Sequence, residues 1–139
     1  MLEILKKSLL QAKYQIAEEI CECMEINKIR DIIITIAFDT ESICVYCFTQ
    51  YMIRKKREVF WIELAIDIMI HPLCHIEGAY SVALFHAREV LSIEKSIGNL
   101  ERILFFYNIP EKLVDEQEAK IIAKEILKIE PNNQVALAV

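Results

Sequence analysis

Only two glycines and three prolines interrupt this chain of 139 residues, 55% of which are hydrophobic. Tight β-hairpins and phosphate-binding loops need glycine at defined positions, so the composition excludes β-sandwich folds and nucleotide enzymes of the P-loop and Rossmann types. A disordered chain is also excluded, because such chains are too poor in apolar residues to form a core. The length suits one continuous core. We therefore expect a single all-α domain over residues 1–139.

The charge of the chain is acidic and evenly spread. Lysine and arginine total 16 and aspartate and glutamate total 21, which leaves a formal net charge of −5. Surfaces that bind nucleic acid need clustered cations, so we expect no nucleic-acid partner. One basic patch interrupts this pattern and consists of Arg54, Lys55, Lys56 and Arg57. It could contact phosphate or an acidic partner, but a solvated helix end is the favoured interpretation, because cations stabilise the C-terminal end of a helix.

The apolar segments and the cysteines bear on the compartment. No apolar stretch approaches the roughly twenty residues that a membrane-spanning helix needs, so we expect no membrane association. The five cysteines form an odd count, and the N-terminal segment lacks the apolar core and cleavage site of a secretory signal. We therefore expect a cytoplasmic protein whose thiols are reduced and buried. The abundance of isoleucine and lysine favours an AT-rich, bacterial genome.

Apolar residues recur at three- and four-residue steps through most of the chain, which is the period of amphipathic helices. The pattern predicts about seven helices: six over residues 2–26, 29–38, 41–54, 57–70, 75–92 and 96–107, and a seventh between Asp115 and Pro131. The segment Ile29–Phe38 is rich in β-branched residues and is also compatible with a strand. A lone strand would have no partner in this chain, so we favour a buried helix there.

Local signals mark several helix ends. Asp115 and Glu118 form a capping-box pattern at the start of the seventh helix. Pro72, Pro110 and Pro131 stop the helices that precede them, because the residue before a proline is disfavoured in the α region. We expect one further short turn after Pro131.

The chain is self-similar at an offset of 36 residues. Ala87–Glu94 (AREVLSIE) matches Ala123–Glu130 (AKEILKIE) with five of eight positions identical. A period in the mid-thirties is typical of stacked helix pairs, in which each pair buries its apolar face against the next. Chance similarity between two amphipathic helices is the alternative interpretation.

The second copy resembles the closing helix of a tetratricopeptide repeat. That family places a small residue early in the helix, leucine near its end and proline just beyond it, and Ala119, Leu127 and Pro131 match this pattern. Ile126 departs from it, since a small residue is usual there. The resemblance covers residues 75–139 and implies a short, curved, tetratricopeptide-like stack of antiparallel helix hairpins.

Acidic and aromatic residues in the middle of the chain form the candidate binding surface. Glu63 and Asp67 lie four residues apart in an apolar segment and share a helix face, where they could bind a basic or amide-rich partner or pair with cations of the chain. Glu18 and Glu19, in contrast, are typical of a solvated face. Tyrosine and tryptophan supply large contact areas with a polar tip. The predicted partner-binding residues are Tyr51, Trp61, Glu63, Asp67 and Tyr80.

Cysteine and histidine residues form the candidate metal site. Cys44 and Cys47 have C-x-x-C spacing, and Cys74 and His75 follow later in the chain, so that together they could ligate zinc. Zinc knuckles usually sit on turns that contain glycine, whereas this pair lies in an uncharged helical stretch. Core cysteines are therefore favoured and no metal is expected. His86 lies in an apolar helix, where a hydrogen-bonded core histidine is the favoured interpretation.

The sequence contains no recognisable catalytic signature. Nucleophilic catalysis needs a nucleophile, a base and an orienting group brought together, and no motif of that kind is present. We expect a non-catalytic adaptor or regulatory module that binds a protein or peptide and needs no cofactor. The alternatives are a small inhibitor or immunity-type protein that neutralises a toxin or enzyme, and a Cys/His metal-binding protein. The oligomeric state stays open, a homodimer included.

Overall fold

The computed structural model describes residues 1–139 and confirms the all-α class. It contains nine helices and no strand, rather than about seven helices. The helices are α1 (Leu2–Leu10), α2 (Tyr14–Glu22), α3 (Ile26–Thr40), α4 (Ile43–Lys55), α5 (Val59–Ile70), α6 (Ala79–Ile93), α7 (Ile97–Asn108), α8 (Glu116–Ile129) and α9 (Gln134–Leu137). None of them has the length and apolarity to cross a bilayer.

The prediction of one continuous helix over residues 2–26 is wrong, because the chain turns back on itself there and forms the two helices α1 and α2. Ala12 takes a left-handed conformation with φ of 56°, and α1 packs against α2. Leu5 of α1 and Ala17 of α2 are both fully buried. In one straight helix these two side chains would point about 120° apart. Folding back lets both apolar stripes reach a core.

The segment Ile29–Phe38 is helical, as expected, and lies within α3. Its burial is one-sided, since Ile33 is fully buried whereas Phe38 is 55% exposed. The β-branched side chains therefore did not prevent a helix, because packing of one face outweighs a weak intrinsic preference.

Ser42 caps the next helix, α4, where its Oγ accepts a hydrogen bond from the backbone nitrogen of Cys44 at 3.1 Å.

The chain comprises two compact units, Met1–Ala83 and Leu84–Val139. The expectation of a single domain stays a prediction. In the first unit, α4 and α5 form a packed hairpin, and α1 and α3 contact this pair. Phe48 of α4 is fully buried and its ring centroid lies 5.5 to 6.1 Å from those of Tyr14, Tyr51 and Trp61. This aromatic cluster joins α2, α4 and α5.

The second unit is built on α7 and α8, with the short helix α9 packed on α8. Asp115 caps α8 by accepting a hydrogen bond from the backbone nitrogen of Glu118 at 2.8 Å. The side chain of Glu118 does not complete a capping box, because its two carboxylate oxygens form a bidentate salt bridge with Arg88 of α6. The predicted helix start is thus confirmed, but half of the expected capping box is replaced by a tertiary ion pair.

Candidate functional site

The principal candidate site is an apolar pocket of about 300 Å³ in the first unit, here called the Trp61 pocket. Its apolar wall consists of Cys21, Met24, Ile26, Ile29, Met52, Phe60 and Trp61. Its polar rim consists of Glu18, Glu22, Lys56 and Glu58. The rings of Phe60 and Trp61 meet edge to face with centroids 5.0 Å apart. Two methionines beside two aromatic rings make a wall that adapts to the shape of an apolar guest.

Glu18 is the most constrained polar group of this pocket. Its Oε1 accepts a hydrogen bond from the Tyr51 hydroxyl at 2.8 Å and another from Lys55 Nζ at 2.9 Å. These bonds, that from Lys55 first and that from Tyr51 second, lower the pKa of the Glu18 carboxyl. The same contact raises the pKa of the Lys55 ammonium. Glu18 is therefore an ionised carboxylate at neutral pH, although only 9% of the residue is exposed.

This arrangement can hold a guest that carries a hydrogen-bond donor on an apolar stem. Tyr51 and Lys55 both donate to Oε1 of Glu18, which leaves Oε2 available to accept a hydrogen bond from a guest. Charge-assisted hydrogen bonds to a carboxylate are stronger than bonds between neutral groups. An ammonium or guanidinium group is the strongest donor that such a carboxylate can meet. The stem of such a guest would lie against Trp61 and Met52, which line the pocket.

Sequence reasoning missed Glu18, and the expectation of a solvated Glu18–Glu19 face is wrong for its first member. Glu18 is buried whereas Glu19 is exposed. A signal was present, since Glu18 lies four residues after Tyr14 and three before Cys21 on one helix face. Cys21 is 3% exposed, and burial raises the pKa of its thiol to about 12. The cationic and hydroxyl partners on α4 could not be found from this local pattern.

The structure brings together some of the predicted binding residues and separates others. Tyr51 and Trp61 share the aromatic cluster through Phe48. Trp61 is only 5% exposed, so only a small part of its side chain is accessible from the pocket. Glu63 lies two residues after Trp61 on α5, about 200° around the helix, and is half-buried. Trp61 and Glu63 therefore do not face the same surface.

Asp67 and Tyr80, the two remaining predicted binding residues, lie elsewhere. Asp67 forms an ion pair with Arg30 of α3, with 2.6 Å between Oδ2 and Nη2. Asp67 therefore pairs with a cation of the chain, which is one of the two alternatives that the sequence left open for Glu63 and Asp67. Tyr80 lies in the first turn of α6 and is half-buried.

The basic patch of Arg54, Lys55, Lys56 and Arg57 is exposed and lies at and just after the end of α4. Arg54 and Lys55 occupy the last turn of that helix, where cations meet the negative end of the helix dipole. Lys55 is also engaged with Glu18, and Lys56 lines the Trp61 pocket. Two members of the patch thus contribute to the pocket.

The expectation of buried thiols holds only in part. Cys21 is buried and Cys44 half-buried, but Cys23, Cys47 and Cys74 are exposed. The buried face of α4 is formed by Val45, Phe48, Thr49 and Met52. Cys47 lies on the opposite side, because it comes two residues after Val45.

The candidate zinc ligands of the sequence do not converge. No group of three or more His, Cys, Asp or Glu side chains is placed to hold a metal ion. Cys44 instead accepts a hydrogen bond through its backbone oxygen from the Tyr14 hydroxyl at 2.6 Å. His75 lies with its Nε2 at 3.9 Å from Oε2 of Glu41.

His86 is the buried, hydrogen-bonded histidine that the sequence predicted. It is 2% exposed, and its Nδ1 lies 2.6 Å from Oε1 of Glu89 on the same helix. Burial together with a carboxylate partner satisfies this ring within the core.

Comparisons with known proteins add no relative. The chain matches no protein-family model, no curated protein and no solved structure.

Proposed function

We propose that this protein is a non-catalytic helical module that binds a protein or peptide through the Trp61 pocket. The observation that carries the proposal is the ionised Glu18 carboxylate fixed beside an open apolar pocket with aromatic walls. Glu18 is positioned by Tyr51 and Lys55 before any guest arrives. Such preorganisation lowers the entropy cost of binding.

The guest that suits the pocket is a lysine or arginine side chain of the partner. Its methylene stem would contact Met52 and Trp61, and its cationic head would donate to Oε2 of Glu18. Burial of about 100 Å² of apolar stem contributes roughly 2.5 kcal/mol at 25 cal/mol per Å². Aromatic residues and anchored charges are typical of the residues that dominate binding energy.

A tetratricopeptide-like stack over residues 75–139 is part of this proposal. Arg88 pairs with Glu118, and Lys95 Nζ lies 2.8 Å from Glu125 Oε2. The two pairs share an offset of 30 residues and lie seven residues apart, so the two segments run parallel. A parallel arrangement is what alternate helices of stacked hairpins adopt.

The burial pattern supports the same reading. Positions related by the 36-residue offset have matching environments: Ala87 and Ala123 are buried, as are Val90 and Ile126, whereas Phe85 and Ile121 are exposed, as are Ile93 and Ile129. The correspondence includes Phe85 and Ile121, which lie outside the eight residues that match in sequence.

The test is affinity capture with the full chain and an Ile26→Asp variant, read by quantitative mass spectrometry. Ile26 is 49% exposed, begins α3 and lines the pocket. Ile43→Asp is the matched control, since Ile43 is 45% exposed and begins α4 away from the pocket. An aspartate in the first turn is tolerated in both helices.

We expect the Ile26→Asp variant to lose the captured partner and the Ile43→Asp variant to keep it. Equal recovery by both variants would contradict the assignment of the pocket. A single enzyme or toxin, held tightly and released by salt, would favour the inhibitor alternative.

A further inference from the structure

A second concave surface lies in the first unit between α1 and α3, here called the α1–α3 groove. It consists of two depressions, of about 280 and 670 Å³, that share Leu2, Asp31 and Ile32 and therefore join. Its further lining residues are Met1, Glu3, Lys6, Cys23, Met24, Glu25, Asn27, Lys28, Thr35, Ile36 and Asp39. Only Met24 is shared with the Trp61 pocket, so the two surfaces can be tested separately.

The floor of the groove is apolar and partly uncovered. Ile32 and Ile36 lie one turn apart on α3 and face the groove. On the other side, Leu2 is 55% exposed and Met1 is 72% exposed. Neighbouring exposed apolar side chains that line a concavity are typical of an interaction site.

The rim of the groove is predominantly acidic. Glu3, Glu25, Asp31 and Asp39 face the side-chain cations Lys6 and Lys28 and the α-amino group of Met1, which leaves one negative charge in excess. None of these four carboxylates forms an ion pair within the chain, whereas Glu18, Asp67, Glu118 and Glu125 do. The groove therefore has unmatched negative charge at its edge, to which a cationic partner is complementary.

We propose that the α1–α3 groove docks a basic amphipathic helix of a partner protein. The space between two helices accommodates the side-chain ridge of a third. Asp31 and Asp39 are eight residues apart on α3, a distance of about 12 Å along its axis. A docking helix with cations seven or eight residues apart would meet both carboxylates, and its apolar residues between them would cover Ile32 and Ile36.

The experiment measures binding of a labelled synthetic helix to the full chain by fluorescence anisotropy. The probe carries lysines at positions i and i+7 with leucines at i+3 and i+4. A second probe has glutamate in place of each lysine, and a third has the composition of the first in an order that is not amphipathic. We expect the first probe to bind and the other two to bind at least about tenfold more weakly.

Charge reversal tests the rim. The double variant Asp31→Lys with Asp39→Lys is expected to weaken binding of the lysine probe by about tenfold or more and to gain binding of the glutamate probe. The control variant, Glu19→Lys with Glu77→Lys, changes the net charge equally at exposed positions outside the groove. We expect this control to bind the lysine probe almost as the unmodified chain does.

A second pair of variants tests the apolar floor. Leu2→Ser is expected to weaken binding of the lysine probe by about tenfold, through lost apolar burial. Ile4→Ser is the matched control on the same helix, because Ile4 is 58% exposed and does not line the groove.

Three outcomes would overturn the proposal. The lysine probe could fail to bind, or it could bind the Asp31→Lys/Asp39→Lys variant and the unmodified chain equally well. Sedimentation could instead show self-association that Leu2→Ser abolishes, in which case a second copy of the chain occupies the groove. Because Ile26 does not line the groove, capture lost in Ile26→Asp would still support the Trp61 pocket after each of these results.

Discussion

Replacing Tyr51 by phenylalanine would remove one hydroxyl group from the support of Glu18. The Tyr51 hydroxyl donates to Glu18 Oε1 at 2.8 Å and links α4 to α2 across 33 residues of sequence. The ring would keep its packing, since its centroid lies 5.6 Å from that of Tyr14 and 6.1 Å from that of Phe48. The substitution therefore isolates the hydrogen bond from the aromatic cluster.

The expected cost is about 1–2 kcal/mol in the free energy of unfolding. A hydrogen bond to a charged group contributes roughly 1.5–3 kcal/mol when well buried. We expect a cost at or somewhat below the low end of that range, because the Glu18 side chain is 12% exposed and Lys55 continues to donate to it. For a chain of this size the change corresponds to a melting temperature lower by roughly 3–6 °C.

Urea unfolding followed by tryptophan fluorescence measures this change in the right part of the chain. Trp61 is the single tryptophan, is 5% exposed and belongs to the same aromatic cluster. Far-UV circular dichroism should be recorded in parallel, because two compact units need not unfold together. Tyr107→Phe serves as a control that removes a tyrosine hydroxyl outside this cluster.

The pH dependence gives the sharper test. The folded pKa of Glu18 lies below its ordinary value of 4.5. A lowered folded pKa contributes stability that is full above the unfolded pKa and is lost as pH falls through the folded pKa. The penalty of Tyr51→Phe should thus be full near pH 7 and shrink below 4.5 as Glu18 is protonated. A penalty under about 0.5 kcal/mol at neutral pH, or one that stays constant on acidification, would refute the reasoning.

Three further predictions concern other parts of the chain. Gly78→Ala should destabilise the protein by about 1 kcal/mol in thermal unfolding, because φ is +85° at Gly78 and only the backbone is strained, with open space around the added methyl group. Arg88→Ala should cost about 0.5–1 kcal/mol at low salt and less at 1 M salt, since its pair with Glu118 is partly exposed; an unchanged cost at high salt would contradict this. Iodoacetamide at neutral pH should label the exposed Cys23 within minutes and leave Cys21 unlabelled in the folded chain, because burial raises the pKa of Cys21 to about 12; tandem mass spectrometry resolves the two thiols.

Helix ends next to prolines could be predicted from the sequence. The helices α5, α7 and α8 end at Ile70, Asn108 and Ile129, just before Pro72, Pro110 and Pro131. The caps at Ser42 and Asp115 were equally predictable. These signals act within a few residues, since proline restricts its immediate neighbour and a cap bonds an amide two or three residues away.

The break between α1 and α2 could not be predicted in this way. The turn around Ala12 contains neither glycine nor proline, and Ala12 takes an uncommon left-handed conformation. The cost of that conformation is offset by packing, because the two short helices can bury Leu5 and Ala17 together only after folding back. A prediction from local sequence signals does not include the free energy gained by this packing.

The candidate site, like the fold, could be predicted from the sequence only in part. Sequence patterns by themselves determined the helical class, several helix ends and a region rich in aromatic and acidic residues around Tyr51 and Trp61. Only the tertiary structure decided that Glu18 joins this region, because its partners Tyr51 and Lys55 lie 33 and 37 residues away in sequence. Helix formation depends on neighbours one turn apart. A pocket depends on which helices pack together, and this packing is decided by the contacts of the whole core.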